Sequence, residues 1–595
     1  MFFQHYNPFG NVFVSTLVAA IPILTLLYFI ALHPHRDEQG VRHLGVAAPY
    51  AAFYAVIAAL LVSCVGFSMP LGSAISAFAL GSLSGFLGII WIVLAAMLLY
   101  TMTVVTGKFE IVKESIVHIS FDRRLQVLLI AFSFGAIIEG TSGFGTPVAI
   151  AGAVMVGLGF TPFQSAVLNL LANTAPVAWG AIGTPIVTLA AVSGLDQRAL
   201  STMAGRQLPW VSVLVPFWLV ATFVFMEGGR WKDFWEVWPG MAVSGLSFAL
   251  MQWYASGTAA LHLVTDVVAG VTSVICTALF LRLWHPKTQF LLRSERDSGT
   301  TPRMTREGWR YGYTSGQTAG AWAPWAILIL CCALWGMPAF KTTLNNVFEN
   351  VKINTTLLGS PFNGTLSLPA WEMPALHNKV QRTPPVVKPD AKPEAAKFTI
   401  NWLSAAGTGV FVAALLTGIY LRLSAAQWRE AIARTMKRMK VPVLVIGQLL
   451  GLGFLTRYSG TDAVLGLAFT SAGVAYPFFA AYLGWLGVFL TGSDTASNAL
   501  FGSLQRITAQ QLNLNEILIV ATNSTGGVMG KMIDAQSIMV ACAACYEDPA
   551  ERRHALGPIF RTVWWHSVIG AGIIGLIALL QAYVFPGVIP PMPGK

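Results

Sequence analysis

The sequence predicts an all-α fold: a polytopic transmembrane helix bundle of about 12–14 spans, with two structural repeats carrying broken or re-entrant helices. Three observations carry this. Of 595 residues, 55% are hydrophobic and only 11% charged, against about a quarter charged in soluble domains, and the mean hydropathy is +0.64. The charges are also bunched: residues 44–107 hold no Asp, Glu, Lys or Arg, and between Arg124 and Asp196 there is only Glu139. Finally, Gly, Pro and hydroxyl residues interrupt several of the apolar runs. A crossing takes roughly 20 apolar residues, so about 330 hydrophobic residues supply the span count. A water-soluble enzyme is excluded.

The net charge of +11 reflects Lys and Arg collected in loops between apolar segments, the pattern of cytoplasmic loops, so no nucleic-acid partner is expected. The six cysteines are scattered. Cys542 and Cys545 have redox-motif spacing but lie in an apolar helical run, where packed thiols are expected and no cofactor or metal.

Taken in order, residues 1–43 read as an N-terminal helix retained in the protein, over 11–32, and a short loop with Arg36 and Arg42. Residues 44–281 form the first repeat. Within it, Arg230-Trp-Lys-Asp-Phe-Trp-Glu-Val-Trp238 suits the headgroup level, where indoles are favoured. Residues 282–318 are a basic cytoplasmic loop, with seven basic and three acidic residues over 282–310. A connecting span at 319–340 then leads to an extracytoplasmic loop at 341–400, rich in Pro, Asn, Thr and Lys and without apolar periodicity. Residues 401–586 form the second repeat and 587–595 a tail. Residues 422–440, six basic against one acidic, read as another cytoplasmic loop.

Unpaired backbone groups in hydrocarbon cost several kcal/mol each, so helix breakers at membrane depth survive only against protein or water. The first half has two such breaks, Glu139-Gly-Thr-Ser-Gly-Phe-Gly-Thr-Pro147 and Asn173-Thr-Ala-Pro-Val-Ala-Trp-Gly-Ala-Ile-Gly-Thr-Pro185. The second half has a comparable pair, Arg457-Tyr-Ser-Gly-Thr-Asp462 and Thr491-Gly-Ser-Asp-Thr-Ala-Ser-Asn498. Glu139 to Asn173 and Gly460 to Asp494 span the same interval, 34 residues. This weak repeat is the mark of a secondary transporter; whether the repeats are inverted stays open. A third break, Asn523-Ser-Thr-Gly-Gly-Val-Met-Gly530, has no assigned partner.

Broken helices expose backbone N–H groups that favour an anion, and hydroxyls add neutral donors. The candidate substrate-binding residues are therefore Gly140, Thr141, Ser142, Gly143, Thr146, Asn173, Thr174 and Thr184, with Asp494, Thr495, Ser497 and Asn498. Arg457, Ser459 and Lys531 join them, the two cations as counter-charges. For any one residue, close packing with the hydroxyl returned to its own backbone is the better explanation; the breaks taken together point to a site. Glu139, Asp462 and Asp494 stand beside breaks in apolar surroundings and are the proton-coupling candidates, Glu139 first because no cation lies near it in sequence. Asp462 can instead pair with Arg457, and Lys531 with Asp534 three residues on.

At these residues the sequence resembles the bacterial L-lactate permease family. The segments 134–150 and Asn169-Leu-Leu-Ala-Asn-Thr-Ala-Pro-Val-Ala-Trp-Gly-Ala-Ile-Gly-Thr-Pro185 carry the resemblance, with 491–498 and 523–531 supporting it. It implies a multi-pass permease of the bacterial plasma (inner) membrane that imports L-lactate, D-lactate and glycolate with protons. Its partners would be a small 2-hydroxycarboxylate, protons and the lipid bilayer. Residues alone leave a sodium-coupled carboxylate symporter and a passive channel open. An intramembrane enzyme is disfavoured, since the chain lacks His-Glu-x-x-His and Gly-x-Ser-x-Gly motifs.

Overall fold

The structure, a computed structural model, describes residues 1–29, 33–36, 42–44, 46, 48–143, 145–297, 312–387, 389 and 391–591. Parts of the 33–43 and 282–318 loops, Phe144 and the end of the 587–595 tail thus lie outside the described residues. Among those described, nine helices are long and apolar enough to cross a membrane, ten if the bent pair Pro162–Ala172 and Val177–Ser193 counts as one span. Shorter apolar helices at Val12–Leu27, Thr146–Gly157, Ala406–Tyr420 and Gln536–Cys545 hold further apolar sequence. The charge-free stretch at 44–107 contains two candidate spans, Pro49–Gly66 and Leu71–Val105.

The single helix Ser315–Gly336 separates two faces. Before it lies the segment around Phe290 and Leu292; after it comes the helix Pro338–Asn346 and a sheet. Two helical hairpins enter the bundle from these opposite faces. The first runs up Arg123–Ser142, turns at Gly143 and Gly145, both at positive φ, and returns as Thr146–Gly157. Its base stands on the Phe290 side: the Arg123 N–H donates to the Phe290 carbonyl and the Arg123 guanidinium covers the Phe160 ring at 5.6 Å. The second consists of Tyr476–Thr491 and Asp494–Gln511, with its tip at Gly492 and Ser493. Its base is on the sheet side, where Gln511 donates to the Pro385 carbonyl at 3.0 Å. Each hairpin has a broken helix beside it: Pro162–Ala172 with Val177–Ser193, bent by 69°, and Glu516–Gly530 followed by Ala535–Cys545.

Two regions differ from the sequence expectation. Residues 422–440 are not a loop but the start of one helix, Ala425–Ser459. Ser424 and Gln427 form a capping box, and the Ala, Arg, Met and Lys that follow are strong helix formers, so the basic residues ride on a helix. The 341–400 region is folded: Lys352–Leu357, Ser360–Thr365, Leu368–Glu372 and Lys397–Thr399 make an antiparallel sheet. Phe2–Phe3 pairs in parallel with Val380–Gln381, tying the N-terminus to this layer. Its first strand is exposed over most of its length and the second over half, so they show little apolar alternation. The expected interfacial segment is the short helix Trp231–Glu236, with Trp231, Trp235 and Trp238 all exposed.

Candidate functional site

The two hairpin tips meet the two helix breaks inside the bundle. In the first break the chain passes through Ala181, Ile182 and Gly183, all left-handed at φ 45°, 58° and 68°. Glycine tolerates that conformation; for alanine and a β-branched isoleucine it costs about 1–2 kcal/mol per residue. Tight packing holds the turn: Trp179 is fully buried with its indole N–H on Ser201 at 2.9 Å. The buried Glu139 lies directly against this break, so close that a Cβ on Gly180 would stand 2.6 Å from Glu139 Oε1. A π-helical turn at Leu128–Phe134 precedes the helix that carries Glu139.

In the second half Gly492, at φ 71°, lets the chain reverse, and Ser493 caps the new helix by accepting the Ala496 N–H. Asp494 sits in that first turn, where the helix dipole favours negative charge. Its Oδ2 accepts from Ser524 at 2.5 Å and Asn498 at 3.3 Å. Asn498 also donates to the Pro185 carbonyl at 3.1 Å and accepts from Asn523 at 2.9 Å, and Gln505 donates to Asn523 at 3.1 Å. The break between Glu516–Gly530 and Ala535–Cys545 wraps the tip. There Lys531 donates to the Gly492 carbonyl and lies 3.5 Å from Asp534, which caps the next helix through the Ser537 N–H at 2.7 Å.

A cavity of about 30 Å³ lies between these elements, lined from the first half by Glu139, Gly143, Gly180 and Thr184 and from the second by Asp494, Thr495 and Lys531. It has room for about two waters, less than a small organic acid needs. A second cavity of about 320 Å³, mostly apolar, shares Gly492, Ser493 and Thr495 with it and opens between the second hairpin and the Ala425–Ser459 helix.

A family model described as L-lactate permease matches residues 15–585. The chain belongs to the L-lactate permease family. Glycolate permease GlcA of Escherichia coli strain K12 is 42% identical over 600 residues, covering 98% of this chain and 99% of that protein. L-lactate permeases of the same strain and of Bacillus subtilis strain 168 are 39% and 37% identical, each alignment covering 99% of both proteins. Together with its candidate spans, this makes the chain a multi-pass protein of the bacterial inner membrane.

Within this family member the remaining candidate residues are placed unevenly. Thr141, Ser142 and Thr174 return their hydroxyls to their own helix backbone at 2.8–2.9 Å, as Ser459 does at 3.1 Å, and Thr184 turns to the Gly180 carbonyl at 3.3 Å. Gly140 packs against Val267 and Asp266, and Ser497 donates to the Gly484 carbonyl at 2.9 Å. Asn173 turns its amide toward the Glu139 carboxyl and has no other hydrogen-bond partner among the described residues. Thr146 accepts from Arg438 at 2.6 Å.

Arg457, Ser459 and Asp462 lie elsewhere. Arg457 pairs with Glu394 at 3.4 Å and lines a separate cavity of about 530 Å³ with Arg382 and Arg506 on the sheet side. Asp462 is bonded not to Arg457 but to Ser503, at 2.5 Å; nine residues beyond Asp494, that contact is about 14 Å along the helix from the central cavity. Three neighbours of the centre escaped the sequence reading. Arg438 was hidden in a run read as loop, and Ser524 in a break without an assigned partner. Asp266 did leave a signal, being the only Asp, Glu, Lys or Arg between Glu236 and Arg282.

Proposed function

We propose that the chain is a secondary carrier importing L-lactate, and with it D-lactate and glycolate, together with protons, through the cavity between the hairpin tips. The names of its relatives support the substrate class. The charge arithmetic of the centre supports the coupling. Glu139 and Asp494 line the cavity, Asp534 is immediately behind, and the one cation on the lining, Lys531, is already paired with Asp534. A monocarboxylate entering that set brings a further negative charge into a site of low dielectric. Like charges about 5 Å apart repel there by roughly 3 kcal/mol. The anion therefore binds well only as carboxylates take up protons, and by linkage the bound anion helps retain those protons.

The groups then fall into roles. Lys531 and the helix start at Asp494 receive the substrate carboxylate; Thr184 and Thr495 face its hydroxyl. Glu139, held against Gly180, carries the coupled proton. One proton with one monoanion moves no net charge, so uptake follows the pH gradient. Because the described cavity is smaller than the substrate, loading requires the tip at Gly492 and Ser493 to part from the break at Gly180, toward the wider apolar cavity that shares those residues.

The test is radiolabelled lactate uptake into proteoliposomes with pH gradient, membrane potential and sodium varied one at a time. Accumulation is expected with an inward proton gradient alone, with sodium omitted and potential clamped. Accumulation only with sodium overturns the proton assignment, and equilibration without accumulation overturns the carrier.

A further inference from the structure

We propose that Asp266 is a second proton-carrying carboxyl of this centre, standing behind Glu139 and exchanging a proton with it during the transport cycle. The inference rests on the proton-coupled reading above and extends it to a residue off the cavity lining.

Asp266 is in the first turn of Thr265–Leu283, a helix packed against the Glu139 hairpin. It is fully buried, and neither carboxylate oxygen has a well-formed hydrogen bond among the described residues. The donors turned toward it are the Gln252 side-chain amide and the Trp179 backbone N–H. Gln252 accepts from Ser212 at 2.7 Å and gives one amide N–H to the Ala175 carbonyl at 3.1 Å, which leaves its second N–H for Asp266. On the other side is Gly140: a Cβ there would stand 3.2 Å from the Asp266 Cβ, which sets Asp266 behind the residue that follows Glu139. A carboxyl kept only for structure would be expected to hold close, well-formed hydrogen bonds, because a poorly partnered buried acid costs several kcal/mol. In the membrane interior such a residue is retained for function far more often than for packing.

Two further observations point into the same space. Glu139 Oε2 is also without a well-formed hydrogen bond, and Asn173, 4% exposed, turns its amide toward Glu139 with no other partner among the described residues. The charged groups around the pair are Lys531 and Asp534, facing Glu139 and paired with each other at 3.5 Å. His262, one turn before Asp266, is turned away to Gln197 and the Ala259 carbonyl. Thus two carboxyls stand near one another with no free cation between them among the described residues. The exchange balances simply: an O–H bond breaks at one carboxyl as one forms at the other, with no net charge transferred out of the pair. With Glu139 at the cavity and Asp266 behind it, the proton has a place to wait while substrate enters or leaves.

The deciding measurement compares Asp266→Asn with Glu139→Gln in proteoliposomes, recording lactate–lactate counterflow and pH-driven accumulation from pH 5 to 8. For Asp266→Asn the expected result is counterflow reduced by less than about tenfold, accumulation reduced more than about tenfold and a flattened pH profile of uptake. If Glu139→Gln loses accumulation while Asp266→Asn keeps wild-type accumulation and pH profile, the role of Asp266 is overturned and the coupling reading stands. If both variants accumulate like wild type, that reading falls too. Should Asp266→Asn fail to reach the membrane, Asp266→Glu decides: a displaced pH profile supports the proposal, and a wild-type profile overturns it.

Discussion

Asn498 donates to the carbonyl of Pro185 over 3.1 Å, so a side chain of the second half ties down the backbone break of the first. Its other contacts, to Asp494 and Asn523, make it the pin between the second hairpin, the broken helix Val177–Ser193 and the third break. Replacing Asn498 by Ala strands the buried Asn523 amide and removes two donations, each worth about 1–3 kcal/mol when a buried partner is left unsatisfied. Asn498→Ala is expected to lower lactate uptake by at least about tenfold and to lower the detergent-solubilised unfolding temperature. Wild-type uptake would show that the two halves do not communicate here.

Gly180 tests the seat of Glu139 by sterics alone. Its backbone is not left-handed (φ −56°), so alanine brings no backbone strain, only a methyl 2.6 Å from Glu139 Oε1. Gly180→Ala is expected to cut uptake by more than about tenfold without unfolding the protein. Gly157, with open space around its Cα, is the control: Gly157→Ala leaves uptake unchanged. Equal uptake by both variants would remove the requirement for this contact.

Much of this centre was legible as interruptions in apolar sequence. Glu139, Gly143, Thr184, Asp494 and Lys531 stand at breaks that hydrocarbon does not tolerate unless protein or water covers them. The equal 34-residue spacing relates positions of the two repeats and does not give the contacts in space. Gly460, set opposite Glu139 by the 34-residue interval, is a left-handed helix end packed on Gln4. The partner in space of the Gly143 tip is instead the tip at Gly492 and Ser493. Asp266 lies in an unbroken helix, so a search for breaks passes over it, whereas a search for lone carboxylates finds it. The sheet at 352–399 left little periodic trace because its first strand is almost wholly exposed and its strands are short.

Lys531 is the site's one lining cation, and it is buried. Lys531→Gln removes the charge that meets the substrate carboxylate and strands Asp534. The half-saturating lactate concentration is expected to rise at least about tenfold, and stability to fall by about 3 kcal/mol, the cost of breaking a buried pair. Uptake kinetics and thermal unfolding read the two effects separately; an unchanged half-saturating concentration would take Lys531 out of the substrate site.

His262 gives a pH effect on stability separate from transport. Burial draws its imidazole down to about 4 from an ordinary 6.5, with Lys341 adding to the shift and the Ala259 carbonyl opposing it. Unfolded, the ring takes its proton near pH 6.5; folded, only near pH 4. Between those values the unfolded chain binds more protons, so stability present at neutral pH is lost as pH falls, about 3 kcal/mol in all. His262→Gln, tested by thermal unfolding at pH 7 and pH 4.5, is expected to lose less stability on acidification than wild type. An equal loss would assign the acid sensitivity to other groups.

The most direct test of proton coupling at the cavity is the ratio of pH-driven accumulation to counterflow in proteoliposomes carrying Glu139→Gln. The expected result is a protein that still exchanges lactate for lactate, more slowly than wild type, yet builds no gradient of lactate under an imposed pH difference. A variant that concentrates lactate as wild type does would contradict the assignment of the coupled proton to Glu139.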